Sequence, residues 1–433
     1  MDYKESEVGK IPVHWEIRQL SEIGEIVSGG TPNTKIEEYW NGNIPWITPK
    51  DLSGFTDRYI YSGERNITEL GLENSSAKLL PRNTVLFSSR APIGYVALAG
   101  DNLATNQGFK SIICDDKKAY PLFIYYLLKS KKNDIENIAG GSTFKEVSGK
   151  VMKEFKVQIP PLTEQKAIAN ILSTLDEKIE TNNQINEKLE EMAQALFKHW
   201  FVDFEFPDEN GKPYKSSGGE MVESELGMIP KGWKIKRVGE IVNITRGASP
   251  RPIKDYIDAI GMPWVKISDA TESKSKYINE TKEFIKEEGI PKSKKVSPGT
   301  LILSNSATPG IPKIMLIEAC VHDGWLVFQD YQYITKEFLY YFLMNEREKI
   351  LTLSNGSVFR NLKTDILKNY KIVVPTLELI EKANKIFQDF NNEIERRTKE
   401  IKILSNIRDT LLPKLMSGEI RVPLDDEVLS EQN

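Results

Sequence analysis

Basic and amide side chains recur among small residues at a few breaks in this sequence, and together they could hold a nucleic acid. Phosphates take cations and hydroxyls, while base edges take paired donors and acceptors: arginine and lysine for guanine, asparagine and glutamine for adenine. The first half offers Thr31, Asn33 and Lys35 in residues 28–35, then Lys50, Ser89 and Arg90, then Asn106 and Gln107 in residues 102–107, and finally Thr143 with Lys145. The second half offers Arg246, Ser249 and Arg251, then Lys266, Asn305 and Arg360. Any one of these loops reads as ordinary solvated surface. The set carries weight because both halves place polar and basic residues at equivalent breaks. Gly29, Gly30 and Gly247 are read as tight-turn residues, since no strand-GxxxxGK[ST]-helix context surrounds them.

Catalytic chemistry finds no comparable footing. The sequence has no P-loop, no GxGxxG opening a βαβ unit, no HExxH and no aromatic-flanked PP loop of an amino-methyltransferase. Its three histidines, His14, His199 and His322, lie far apart. "PDENGK" at 207–212 has the acids of a nuclease motif but lacks the Glu-x-Lys arrangement. No metal site is expected, because the two cysteines, Cys114 and Cys320, fall in separate halves without a CxxC neighbourhood. A non-catalytic chain is the expectation.

The loops must be held by a frame, and the sequence writes that frame twice. "ESEVGKIPVHWEIRQLSEI" at 5–23 returns as "ESELGMIPKGWKIKRVGEI" at 223–241. "IPWITPKDLS" at 44–53 meets "MPWVKISDAT" at 262–271, "VLFSSRAP" meets "LILSNSATP", and "FIYYLL" meets "FLYYFL". "GSTFK" at 141–145 meets "GSVFR" at 356–360, so Lys145 and Arg360 are paired. Self-similarity at a near-constant offset means one fold used twice.

Each copy has two textures. The first ~150 residues carry short apolar runs punctuated by Gly, Pro, Asn and Ser, the pattern of short strands and turns with a few helices. After the prolines comes a stretch of 37 residues, 164–200, with neither Gly nor Pro. Its residues Ile168, Leu172, Leu175, Ile179, Asn182, Asn186, Leu189, Ala193, Leu196 and Trp200 form a heptad seam, roughly 50 Å long at 1.5 Å per residue. The second copy repeats it from Ala383 to Leu411, and polar residues interrupt both seams, Asn182 and Asn186 in one and Arg397 in the other. The expected fold class is α+β: two homologous mixed, strand-rich domains joined by two long helices forming an antiparallel coiled coil. The boundaries are 1–160 and 223–375 for the domains, 161–204 and 376–416 for the helices, 205–222 for a linker and 417–433 for a polar acidic tail.

Charge and composition are compatible with this. The net charge of −4 is no simple nucleic-acid signature, but it is uneven: residues 163–209 hold four Lys and eleven acids, residues 234–300 fourteen Lys or Arg and nine acids. The apolar runs are too short to span a bilayer and the start of the sequence is acidic and polar, so a cytoplasmic location without membrane association is expected.

The order "IPVHWEIRQLSEI", "SGGTP", "IPWITPKDL", "GST", "PPLTEQKAIANIL", its repetition and a closing "LLPKLMSGEI" resembles the specificity (S) subunit of type I restriction-modification enzymes, over about residues 5–423. The second copy departs in "RGASPRP" and "PTLELIEKANKIF". The resemblance implies two target-recognition domains, each reading half of an asymmetric bipartite site in double-stranded DNA. It also implies that the helices set the spacing and dock methyltransferase (M) subunits. Two such subunits are expected around Phe197, Trp200 and Phe201 and around Leu411, Leu412 and Leu415. S-adenosylmethionine and ATP are expected on partner subunits and none on this chain, with restriction (R) subunits able to join. The competing reading is a two-headed scaffold that binds proteins or glycans. Salt separates the two, since DNA affinity falls steeply with salt through counterion release.

Overall fold

The computed structural model describes residues 2–90, 92–140, 145–273, 275–353 and 361–423. The chain divides into two units, Met1–Thr181 with Ile401–Asn433, and Asn182–Glu400. Each is organised around a five-stranded sheet. In the first unit the strands are β1 (Gly24–Ser28), β2 (Tyr59–Ile60), β3 (Val85–Ser89), β4 (Ile93–Ala99) and β5 (Lys110–Cys114), in the order β1-β5-β3-β4-β2. In the second they are β6 (Asn243–Arg246), β7 (Tyr277–Ile278), β8 (Leu301–Ser304), β9 (Pro312–Met315) and β10 (Trp325–Gln329), in the order β6-β10-β8-β9-β7. The topology is the same twice, with the short edge strand parallel to its neighbour in both.

The central strands are apolar on both faces because both faces are covered. Val85 and Phe87 of β3 pack with helix α1 (Pro121–Ser130), while Leu86 between them packs with Ile47 and Leu103 on the other side. In β8, Leu301 and Leu303 face helix α3 (Lys336–Asn345), and Ile302 faces Val265 and Val321. That second face belongs to a second sheet, of three strands in the first unit, with Trp40–Ile47 at its centre, and of five in the second. The stretch 205–222, expected as a linker, is anchored on the second unit: the Phe206 ring lies 4.6 Å from Tyr214 and 5.3 Å from Trp233.

The long helices are α2 (Leu162–Phe197), which starts as soon as Pro160 and Pro161 are passed and ends in a π-helical turn at Lys198–Val202, and α4 (Leu377–Met416). Within the first unit Arg408 of α4 pairs with Asp176 of α2 at 2.7 Å. Within the second, Arg397 Nη1 donates to Asn182 Oδ1 at 2.8 Å, Asn182 Nδ2 donates to Glu400 at 3.1 Å, and Asn186 lies 3.5 Å from Thr398. Rising numbers on α2 meet falling numbers on α4, so the segments are antiparallel in each unit. The polar residues that interrupt the two seams meet one another, which pairs most of the groups that would otherwise be costly to bury, Asn186 Oδ1 and Arg397 Nε excepted, and favours one register.

Each domain is tied to these helices by one buried cation at an equivalent position. Arg58 pairs with Glu180 at 3.0 Å and Glu177 at 3.2 Å. Lys276, its side chain only 1% exposed, reaches Glu190 at 3.0 Å, Asn391 at 2.8 Å and the Tyr341 hydroxyl at 2.7 Å.

Candidate nucleic-acid interface

In the first unit, four separate stretches converge at the end of β3. The Ser89 amide donates to Gly108 O at 2.7 Å and the Val147 amide to Ser89 O at 2.9 Å, which brings residues 105–108 and 145–147 beside Arg90. The Gly30 amide donates to Thr105 O at 2.8 Å, and the Thr31 hydroxyl donates to Gln107 Oε1. Gln107, Lys145 and Lys35 are exposed, and Asn33 uses its Oδ1 to accept from the Lys35 amide at 3.0 Å. Arg90 and the buried Lys110 share Glu146, at 3.4 and 3.7 Å. Burial lowers the Lys110 pKa, against the pull of Glu146. Lys50 is exposed and paired with Glu64 at 2.7 Å, on a short 3₁₀ turn capped by Asp51.

The second unit repeats the geometry with different side chains. The Asn305 amide donates to Gly324 O at 2.8 Å, the Leu362 amide to Asn305 O at 2.8 Å, and the Ala248 amide to Val321 O at 3.2 Å. Asp323 is the hub. Its Oδ1 accepts from the Ser249 hydroxyl at 2.7 Å, its Oδ2 from Arg251 at 3.2 Å, and its backbone oxygen from Arg246 Nε at 2.6 Å. The Ser249 hydrogen bond, aided by the Arg251 charge, holds its carboxyl below the usual carboxylate range. His322 Nδ1 accepts from the Gly324 amide at 2.8 Å, so the neutral ring carries its proton on Nε2, and burial lowers its pKa. Lys266 is paired with Glu283 at 2.6 Å.

Several expectations need correction. Ser89 and Asn305 are buried, and their side chains turn inward to the loop carbonyls, 3.1 Å to Gly108 O and 3.4 Å to Asp323 O; they position loops and reach no external partner. Asn106 likewise spends its Oδ1 on the Gly108 amide at 2.9 Å. Gly29 and Gly247 serve close approach, with no tight turn of positive φ: an added Cβ would lie 2.0 Å from Asn106 O or from His322 O. Thr143 and Arg360 lie outside the described residues. Phe197, Trp200 and Phe201 are buried within the second unit, Phe201 lying 4.9 Å from the Phe338 ring, and Leu415 is buried in the first with Leu411 and Leu412 packed against the same core. The apolar surface of Phe197, Trp200, Phe201 and Leu415 is already spent, each buried side chain stabilising its own unit by roughly 1.5–3 kcal/mol, while Leu411 and Leu412 stay partly exposed. An open groove of Met192, Leu196, His199, Ile386 and Phe390 lies between the helices of the second unit. Sequence reasoning passed over Asp323, His322 and Lys110. Carrying Asn106 and Gln107 forward by the 216 residues that separate Ser89 from Asn305 lands on His322 and Asp323.

Comparison with known proteins then decides the family. The family described as "Type I restriction modification DNA specificity domain" matches residues 12–191 and 230–404, one span in each repeat. The chain belongs to this family. Among the specificity subunits it resembles, it is 36% identical to that of the type I restriction enzyme MjaIX of Methanocaldococcus jannaschii, with 97% of both chains covered. It is 26% identical to the HindI specificity subunit of Haemophilus influenzae, over 87% of this chain and 94% of that one. In fold it is similar to the crystal structure of a type I restriction-modification S subunit from M. genitalium, with a TM-score of 0.56 at 20% identity and coverage of 94% and 96%. A type I specificity subunit is a DNA-recognition chain, and the repeated strand-rich units with their helices fit that class. The two-headed scaffold finds no support here. Among the described residues no helix is long and apolar enough to cross a membrane.

Proposed function

We propose that this specificity subunit is the non-catalytic reader of a type I restriction-modification complex, each unit reading one half of an asymmetric bipartite DNA site. The observation that carries the reading is the twofold cluster. Equivalent backbone positions hold Thr31 against Gln107 in one unit and Ser249 against Asp323 in the other, so the frame is kept while the chemistry at its tip has changed. Two unlike readers in one chain give an asymmetric site, where a symmetric dimer would give a palindrome. The candidates left facing outward are Thr31, Asn33, Lys35, Lys50, Arg90, Gln107 and Lys145, and Arg246, Ser249, Arg251 and Lys266.

The catalytic work falls to partners. Two methyltransferase subunits dock on the helices, bringing S-adenosylmethionine chemistry, and restriction subunits with ATP complete a restricting form. The two docking places are supported by an equivalence: at an offset of 215, Met192 and Ile386 match Ile407 and Ile171, and all four are apolar residues open on the helices, three of them more than a third exposed.

The test is methylation mapping. Replacing residues 28–140 by those of a relative with a different site should change one half of the methylated sequence and leave the other intact. Both halves changing together would refute independent recognition.

A further inference from the structure

The two units differ in chemistry at one shared framework position. Residues 105–108 and 321–324 are the same turn in the two units. Ser89 and Asn305 donate to the glycine carbonyl at its end, and the glycine amide donates back to Asn106 Oδ1 at 2.9 Å or His322 Nδ1 at 2.8 Å. Gln107 and Asp323 therefore occupy one position, each accepting from a hydroxyl, Thr31 or Ser249, on the strand-end loop opposite.

Their chemistry differs in kind. Gln107 is exposed and neutral, and its amide can donate and accept at once, the pairing an adenine edge requires. Asp323 is a carboxylate, 41% exposed, on the face argued to meet DNA, where a lone negative charge would repel phosphate. It has a compensating role: Arg251, 72% exposed, is paired with its Oδ2, and Arg246 donates Nε to its backbone oxygen, which leaves the two Nη groups of Arg246 unspent by that bond. A guanidinium held by an acid loses less freedom when it meets a base, and a bidentate guanidinium suits the O6 and N7 of guanine. The acid also penalises indiscriminate phosphate binding, an arrangement that trades affinity for choice.

Resting on the DNA-reading function above, we propose that this shared position decides base choice in each half-site. Gln107 contacts the base directly, by preference adenine. Asp323 is a positioning residue that orients Arg251 and Arg246 toward guanine.

The experiment uses the full chain in complex with its methyltransferase subunits. Its probes are duplexes carrying the mapped site and every single-base change in each half. For Asp323→Asn, discrimination at one base pair of the second half should fall about ten-fold or more, the first half should be unaffected, and affinity for unrelated duplex should rise several-fold at low salt. Gln107→Glu should alter discrimination at one base pair of the first half alone. A uniform loss of binding to all duplexes by Asp323→Asn, or a change in the first half, would overturn the proposal. Should that variant unfold, Arg251→Lys keeps the charge and removes the fork; unchanged discrimination in that variant overturns the proposal equally. A wild-type complex that binds no DNA overturns the function itself, and the inference with it.

Discussion

Lys313 shows how much a single buried charge can cost this chain. It is 5% exposed, and its ammonium donates to Ser273 O at 2.8 Å and to Ser275 O, so burial pushes its pKa down to about 8 from an ordinary 10.5, against the pull of the Glu190 charge. A depressed lysine binds its proton more weakly in the folded state, so its stabilising contribution is present above 10.5 and is lost as pH falls through about 8. Relative to Lys313→Met, wild type should gain roughly 2 kcal/mol in unfolding free energy as pH rises from about 8 to about 9.5. Chemical denaturation of both proteins at several pH values measures this, and a flat difference would show that the ammonium is solvated in the native state. Little of this was legible in the sequence, where Lys313 is one of many lysines near an apolar run. The same limit explains Ser89 and Asn305. A polar residue at a strand end reads as exposed, and only the carbonyl of a distant loop, 19 residues away for Ser89 and 18 for Asn305, turns it inward. Asp323 escaped notice because "TNQG" and "VHDG" share only the glycine, although that glycine was the register mark that could have found it.

At the scale of elements the sequence was far more informative. A heptad seam and an apolar helix declare themselves through spacing, so the two long helices, the helices at Pro121–Ser130 and Lys336–Asn345, and the meeting of polar seam residues were all within reach. What spacing does not tell is which apolar neighbour a stripe will find. Phe197 and Trp200 lie near the helix end as an external surface would, yet Phe338 and Trp233 arrive from elsewhere in the fold to cover that end. The docking assignment therefore moves to Met192 and Ile386 in one unit and Ile407 and Ile171 in the other. Met192→Glu should remove one of two methyltransferase subunits, and Met192→Glu with Ile407→Glu should remove both, with unfolding temperature nearly unchanged because the residues are exposed. Mass measurement of the assembled complex reads the stoichiometry, and a full complement on the double variant would refute these docking places.

For the whole molecule, duplication was legible because a repeated string implies one strand order for both units, and the two sheets have it. The two helices are the continuous covalent path between the units, and their length should govern the separation of the half-sites. Inserting one matched heptad near Asn183 and another near Thr398 adds about 10 Å and nearly preserves the seam. The unspecified spacer should lengthen by roughly one to three base pairs, at about 3.4 Å each, with both half-site sequences kept. Methylation maps showing the original spacer in an active, folded variant would reject the helices as a ruler.

Neither unit is made from its own repeat alone. The core that holds Trp15 and Phe123 also holds Leu415, Met416 and Val422. Ribosomal synthesis therefore delivers the first unit in two instalments, separated by the entire second unit. Its core stays open while more than two hundred further residues emerge, and a segment translated after the second unit finishes the domain that was begun before it.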